Sequence, residues 1–197
     1  MKIVVTEFVS LDGVIEEPRW TFEFDRGDDG DQFKLDELFD ADALLLGRVT
    51  YEGFAAAWPN MNSDDFGRRM NGIPKYVVSS TLKTADANWG ETTVLRGDVV
   101  DEVRALKALP GGYLLVEGSA QLVQCLVQHG LVDEFRLMVF PIVLGQGKRL
   151  FPTTMPQATK MALLDCRTTG SGVLLVRYGQ SSEEDSAHQQ DSVADSA

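Results

Sequence analysis

Three short segments carry residue types able to hold a phosphate. "LLLGRVTYEGF" supplies Gly47, Arg48 and Thr50, "YVVSSTL" supplies Ser79, Ser80 and Thr81, and "LLVEGSAQLV" supplies Glu117, Gly118 and Ser119. A strand that ends in glycine and feeds a helix presents unpaired N–H groups at the positive end of the helix dipole, a backbone device for anions. Arg48 adds a planar fork that matches phosphate, and the hydroxyls of Thr50, Ser79, Ser80 and Thr81 add neutral donors. One such turn alone is ordinarily a tight connection and nothing more. Three in order, at the carboxyl ends of strands in an open α/β sheet, predict a single shared crevice.

The common nucleotide signatures are missing. No GxGxxG follows the first strand and no GxxxxGK[ST] occurs anywhere, which removes the ordinary dinucleotide fingerprint and the ATPase loop. "GQGKRLF" (145–151) leads to Pro152 rather than into a helix and reads as a turn with exposed basic residues. His129 beside Gly130 reads as a helix-end residue, so no Ser-His-Asp grouping is formed. Cys125 and Cys166 lie far apart inside apolar patterns and are expected to be small buried hydrophobes; no metal site is expected.

The elements that must position the three segments alternate between β-type and helical periods. "KIVVTEFVS" (2–10) is a first, central strand, followed by a long loop holding Trp20, Phe22 and Phe24. That alternation fits either one wall of a planar pocket or a small strand packing aromatics inward, while Trp58 is expected to plug the core beside the second helix. Strands are expected at 43–47, 75–80, 113–116 and 133–145, with helices at "QFKLDELFDAD", "VTYEGFAAAW", "SDDFGRRMNG", "DVVDEVRALKAL" and after Ser119. "TKMALLDCRTTG" and "GVLLVRYG" form an antiparallel hairpin. The predicted class is α/β: a mostly parallel central sheet with an antiparallel C-terminal edge and helices on both faces.

The chain has 197 residues, enough for one domain, assigned to 1–180, with an acidic tail over 181–197 that lacks the apolar residues to pack. The formal charge is −12, and the body stays acidic when the five acids of the tail are set aside. A nucleic-acid partner is therefore not expected, because such surfaces carry a basic footprint. No apolar run is long enough to cross a bilayer, and "MKIVVTEFVSLDG" is too interrupted for a signal-peptide core, so the cytoplasm is the expected compartment.

The order "SLDG", "LLGRVTYEGF", "IPKYVVSSTL", "LLVEGSAQLV" and "DEFRLMVFPIVLGQGKRLF" resembles the dihydrofolate-reductase-like fold. More narrowly it resembles stand-alone relatives of the reductase domain of the bifunctional riboflavin-biosynthesis deaminase-reductases, over about residues 2–179. The resemblance implies a three-layer fold, NADPH bound across the strand ends, a homodimer, and hydride transfer to a C=N, C=C or C=O group of a small heterocyclic or carbonyl substrate. It places Gly47, Arg48 and Thr50 on cofactor phosphate, with Arg48, Ser79, Ser80 and the adjoining Thr81 toward the adenosine 2′-phosphate. Gly118 and Ser119 would take the pyrophosphate. Glu117-Gly118 stands where dihydrofolate reductases have two glycines, and the Asp-Pro-x-Leu-Thr-x-Arg stretch that meets a phosphoribosyl group in the riboflavin-pathway enzymes is missing. For the proton, the resemblance offers Asp31, at the spacing of the dihydrofolate reductase acid before Gly47, and Asp12 of "SLDG", which lies against the nicotinamide in related reductases. Capping preference favours Asp31 as a helix N-cap and Asp12 reads equally as a turn residue. Glu117 either touches substrate or cofactor ribose or simply finishes its strand. The rival reading is a nucleotide-binding or dimeric interaction protein of the same fold without turnover.

Overall fold

The computed structural model describes residues 1–155 and 158–181. The acidic tail beyond 181 lies outside the described residues.

Among the described residues eight strands make one sheet: β1 (Lys2–Ser10), β2 (Ala43–Gly47), β3 (Lys75–Val78), β4 (Thr92–Leu95), β5 (Tyr113–Glu117), β6 (Glu134–Phe140), β7 (Met161–Thr168) and β8 (Leu174–Gln180). Their order is β4-β3-β2-β5-β1-β6-β8-β7. Every pairing from β4 to β6 is parallel, and β8 is antiparallel to both β6 and β7. The parallel body and the C-terminal hairpin are those the sequence predicts.

Five α-helices among the described residues cover the sheet: α1 (Gly27–Asp40), α2 (Arg48–Ala57), α3 (Asp65–Gly72), α4 (Val99–Ala108) and α5 (Ala120–Gln128). Leu38 of α1, Tyr51 of α2 and Met70 of α3 share one core with Val4, Leu44, Leu46 and Leu115. On the other face Val103 of α4 and Val123 and Leu126 of α5 pack with Ile3, Val5 and Leu45. β1 lies between these two layers, which is why it reads as a near-continuous apolar run.

From β2 the chain moves outward through β3 to β4, then returns to insert β5 between β2 and β1. β2 feeds α2 on one face while β5 feeds α5 on the other, so the connections leave in opposite directions and open a crevice at the strand ends.

The first long loop is more ordered than its composition suggests. It contains a 3-10 turn at Pro18–Glu23 rather than a strand, and α1 begins at Gly27 with Arg26 at the N-cap. Asp31 is thus inside the helix and not its cap. Trp20 and Phe24 pack edge-on against Phe140 at centroid distances of 5.4 and 5.5 Å, while Phe22 faces solvent. The aromatics therefore seal β6 rather than wall a pocket.

Candidate active site

All nine junction residues, Gly47, Arg48, Thr50, Ser79, Ser80, Thr81, Glu117, Gly118 and Ser119, line one cleft of about 1220 Å³ at the strand ends. Two of the junctions are locked together. The Gly47 amide donates to Ser119 Oγ at 2.9 Å, and the Ser119 amide donates to Thr50 Oγ1 at 3.0 Å. Gly118 and Ser119 are both left-handed, with φ near 60°. At Gly118, with its left-handed φ, a Cβ would stand 3.1 Å from Thr50 Cγ2, so glycine lets the two turns close up without strain. Ser119 holds the same conformation with a side chain, a strain that its two cross-junction hydrogen bonds offset.

The helix starts at the cleft differ in a way that bears on what they hold. α4 is capped by its own aspartate, Asp98 accepting from the Val100 and Asp101 amides. α2 and α5 carry no side-chain cap. Their first-turn N–H groups have no acceptor inside the helix, and Arg48, Val49 and Thr50 of α2 and Ala120, Gln121 and Leu122 of α5 border the cleft. Arg48 pairs with Glu52 at 2.8 Å on the surface, and Lys148, which also lines the cleft, pairs with Glu16 at 2.7 Å. Ser79 serves the fold: its Oγ accepts from the Thr81 and Leu82 amides at 3.1 and 2.9 Å, leaving Ser80 and Thr81 as the exposed hydroxyl residues of that turn.

Toward β1 the cleft becomes buried and charged. Thr6, Glu7, Lys34 and Glu117 line it. Lys34 Nζ donates to Thr6 Oγ1 at 3.0 Å, meets Glu117 Oε1 at 3.1 Å and pairs with Glu37 Oε1. Thr6 Oγ1 donates to Glu37 in turn, at 2.7 Å. Burial alone would lower the Lys34 ammonium, but Glu117 and Glu37 outweigh it and hold the pKa above its ordinary value. Burial raises both Glu37 and Glu7, Glu7 strongly, with Glu117 adding like-charge repulsion.

Residues 1–175 match the RibD C-terminal domain family. The chain belongs to that family. It is 31% identical to the uncharacterized protein YyaP of Bacillus subtilis (strain 168), over 90% of this chain and 94% of that one. A Shewanella sp. PV-4 protein whose name refers to riboflavin biosynthesis superposes with a TM-score of 0.74 at 20% identity, covering 92% of this chain and 100% of that one. The Thermotoga maritima diaminohydroxyphosphoribosylaminopyrimidine deaminase/5-amino-6-(5-phosphoribosylamino)uracil reductase gives a TM-score of 0.62 at 14% identity, over 91% of this chain and 56% of that protein. At these identities the solved structures establish a shared fold, the RibD reductase-like arrangement of a mostly parallel sheet with one antiparallel edge.

Within this RibD-like chain the carboxylates expected from sequence separate. Glu117 reaches the cleft and binds Lys34. Asp31 does not: its side chain is two-thirds exposed on α1 and pairs with Arg26 at 2.8 Å. Asp12 is absent from the lining and clasps two loops, accepting from Ser10 Oγ at 2.7 Å and from the Leu144 and Gly145 amides at 3.1 and 2.8 Å. Those bonds, the Ser10 hydroxyl first, hold its pKa down at about 2. Cys166 is exposed and Cys125 half-buried beside the cleft, so neither is the core hydrophobe expected. His129 does close α5, its Nδ1 lying 2.8 Å from the Cys125 carbonyl. Trp58 borders the cleft and packs, half-buried, against the core beside α2, edge-on to Phe54 and tilted against Phe66. Glu7, Lys34, Glu37 and Lys148 are the site residues that motif reading missed. A visible signal existed for Glu7: an acid in the middle of "KIVVTEFVS", a run apolar enough to be covered on both faces.

Proposed function

We propose that this protein is an NADPH-dependent reductase delivering hydride to a small heterocyclic or carbonyl substrate. The observation that carries the reading is the convergence of two uncapped helix starts, Arg48 and a buried acid–lysine cluster on one cleft. NADPH would supply the hydride, which is chemistry the protein's own groups do not possess. The donor set suits its anionic half: the α5 amides of Ala120 and Gln121 for the pyrophosphate, and Arg48 with Ser80 and Thr81 for the adenosine 2′-phosphate. The acidic body supplies no general field for anions, so these local donors must do the holding.

The test is a titration with NADPH and NADH, followed by fluorescence and by protection against thermal unfolding. NADPH binds in preference to NADH, and Arg48→Ala weakens NADPH ~10- to 100-fold, the equivalent of ~1.5–3 kcal/mol for a lost charge-assisted contact, while NADH affinity holds. Equal losses for both nucleotides remove Arg48 from the 2′-phosphate. No binding of either removes the reductase reading. Binding without oxidation of NADPH by dihydrofolate, pterins, pyrimidine intermediates or simple carbonyls identifies a nucleotide-binding protein that has no turnover.

A further inference from the structure

At the inner wall of the cleft Lys34 and Glu117 meet, with Glu37 buried behind them and Glu7 lining the wall nearby. An ammonium has three N–H donors, and those of Lys34 go to Thr6, Glu37 and Glu117. None remains for Glu7. The alternation of β1 separates them further: Thr6 faces α1 with Lys34, whereas Glu7 projects to the opposite face with Val5 and Val9, on the α5 side. Glu7 is 6% exposed, lines the cleft, and its Oε1 is shut off from solvent with no hydrogen-bond partner. The groups acting on it are Glu117 and the Gly118 amide from β5 and its turn, and Lys34 and Glu37 from α1. Its partner across the pairing with β6 is the uncharged Leu137. A carboxylate so placed would be an unpaired buried charge beside another carboxylate; a neutral carboxylic acid is the form the surroundings accept.

We propose that Glu7 is the proton donor of this cleft. The proposal rests on the reductase reading and narrows its substrate to a polar C=N or C=O bond. A bound dihydronicotinamide would supply the hydride and the two electrons, becoming oxidised as the substrate's new C–H bond forms. Glu7 would give its proton to the nitrogen or oxygen that receives the π electron pair of the double bond, and would be left as a carboxylate. Repulsion from Glu117 and burial then draw a proton back from water entering the cleft. A C=C bond without a conjugated heteroatom has no basic atom to receive this proton, and is not a substrate. Asp31, on the solvent side of α1, takes no part.

The experiment starts from the ligand-free protein with glutamate 13C-labelled at Cδ. One side-chain resonance stays in the protonated position at pH 7, moves only at higher pH, and is missing from Glu7→Gln. A Glu7 that has ionised by pH 6 overturns the proposal, whatever the protein binds. Should Glu7→Gln fail to fold, Glu7→Asp makes the assignment, since aspartate has no Cδ and the same resonance disappears. Glu7→Gln keeps its NADPH dissociation constant within about twofold, while single-turnover oxidation of NADPH by whichever imine or carbonyl compound the screen identifies falls at least ~100-fold. The wild-type rate declines as pH rises through the Glu7 titration, and the residual rate of Glu7→Gln lacks that decline. An unchanged rate or an unchanged pH profile, with NADPH binding intact, overturns the proposal. Failure of the wild type to bind NADPH defeats the reductase reading instead, and takes the catalytic role of Glu7 with it even when the resonance behaves as stated.

Discussion

At the junction end of the cleft, donors outnumber acceptors: two helix starts lack caps and Arg48 stands at the surface with a single ion-pair partner. At the β1 end the lysine has no donor left and two carboxyl oxygens, one on Glu7 and one on Glu37, have no partner. The first region is built to receive an anion from outside. The second is built around a proton, because buried carboxyls that outnumber the one ammonium, two of them with an oxygen left unpartnered, cannot all ionise at acceptable cost. The difference separates two tasks within one cleft, nucleotide holding by backbone geometry and proton handling by side-chain burial.

Breaking the second region produces the largest effect on the fold. Lys34→Met removes the cation that faces Glu37 and Glu117 and should cost ~3–5 kcal/mol at pH 7 in urea unfolding, the usual consequence of orphaning a buried partner. The pH dependence has a defined sign. In the wild type the Lys34 pKa is raised, so its contribution is complete through neutral pH and is lost only as pH rises beyond the ordinary lysine value of 10.5. In the variant the Glu37 pKa climbs further above the ordinary 4.5. The folded state then holds a proton the unfolded chain has released, and stability falls as pH rises above that value. The deficit is therefore larger at pH 8 than at pH 5. An equal deficit at both would mean that Lys34 matters for packing and not for charge.

The junction region yields a smaller, more local change. Gly118→Ala forces a side chain into a left-handed backbone, costing about 1–2 kcal/mol, and places it against Thr50, whose Oγ1 receives the Ser119 amide. Because the lock between α2 and α5 loosens, NADPH affinity should fall several-fold. A variant with the expected stability loss but wild-type NADPH affinity would show that the lock shapes the turn without shaping the nucleotide site.

The two regions were not equally readable from the residues. Glycine turns and an adjacent arginine are local facts, so Gly47, Arg48, Gly118 and Ser119 announce themselves in the chain, and the parallel order of β2 and β5 brings them together. The buried cluster is a tertiary fact. Lys34 and Glu37 look like an ordinary surface pair three residues apart on a helix, and nothing local says that this face of α1 rests on Thr6 and Glu117. Ser79 was legible as a hydroxyl but not as one turned back on its own amides. Counting residues back from Gly47 picks Asp31, yet α1 starts at Gly27 and its rotation presents Lys34 and Glu37 to the sheet, leaving Asp31 outside.

Asp31→Asn is accordingly the smallest change and the sharpest control on the contrast. Its carboxylate shares a surface ion pair with Arg26, where both partners are well solvated, and such pairs contribute ~0–1 kcal/mol. The expected outcome is an unfolding midpoint shifted by less than about 0.5 kcal/mol, unchanged NADPH affinity and an unchanged pH profile of turnover. Should the pH profile move while the fold and the nucleotide affinity do not, the proton would have to travel along α1 from the solvent side. Glu7 would then be a neutral wall of the cleft, and the division of labour between its two ends would have to be redrawn around the helix.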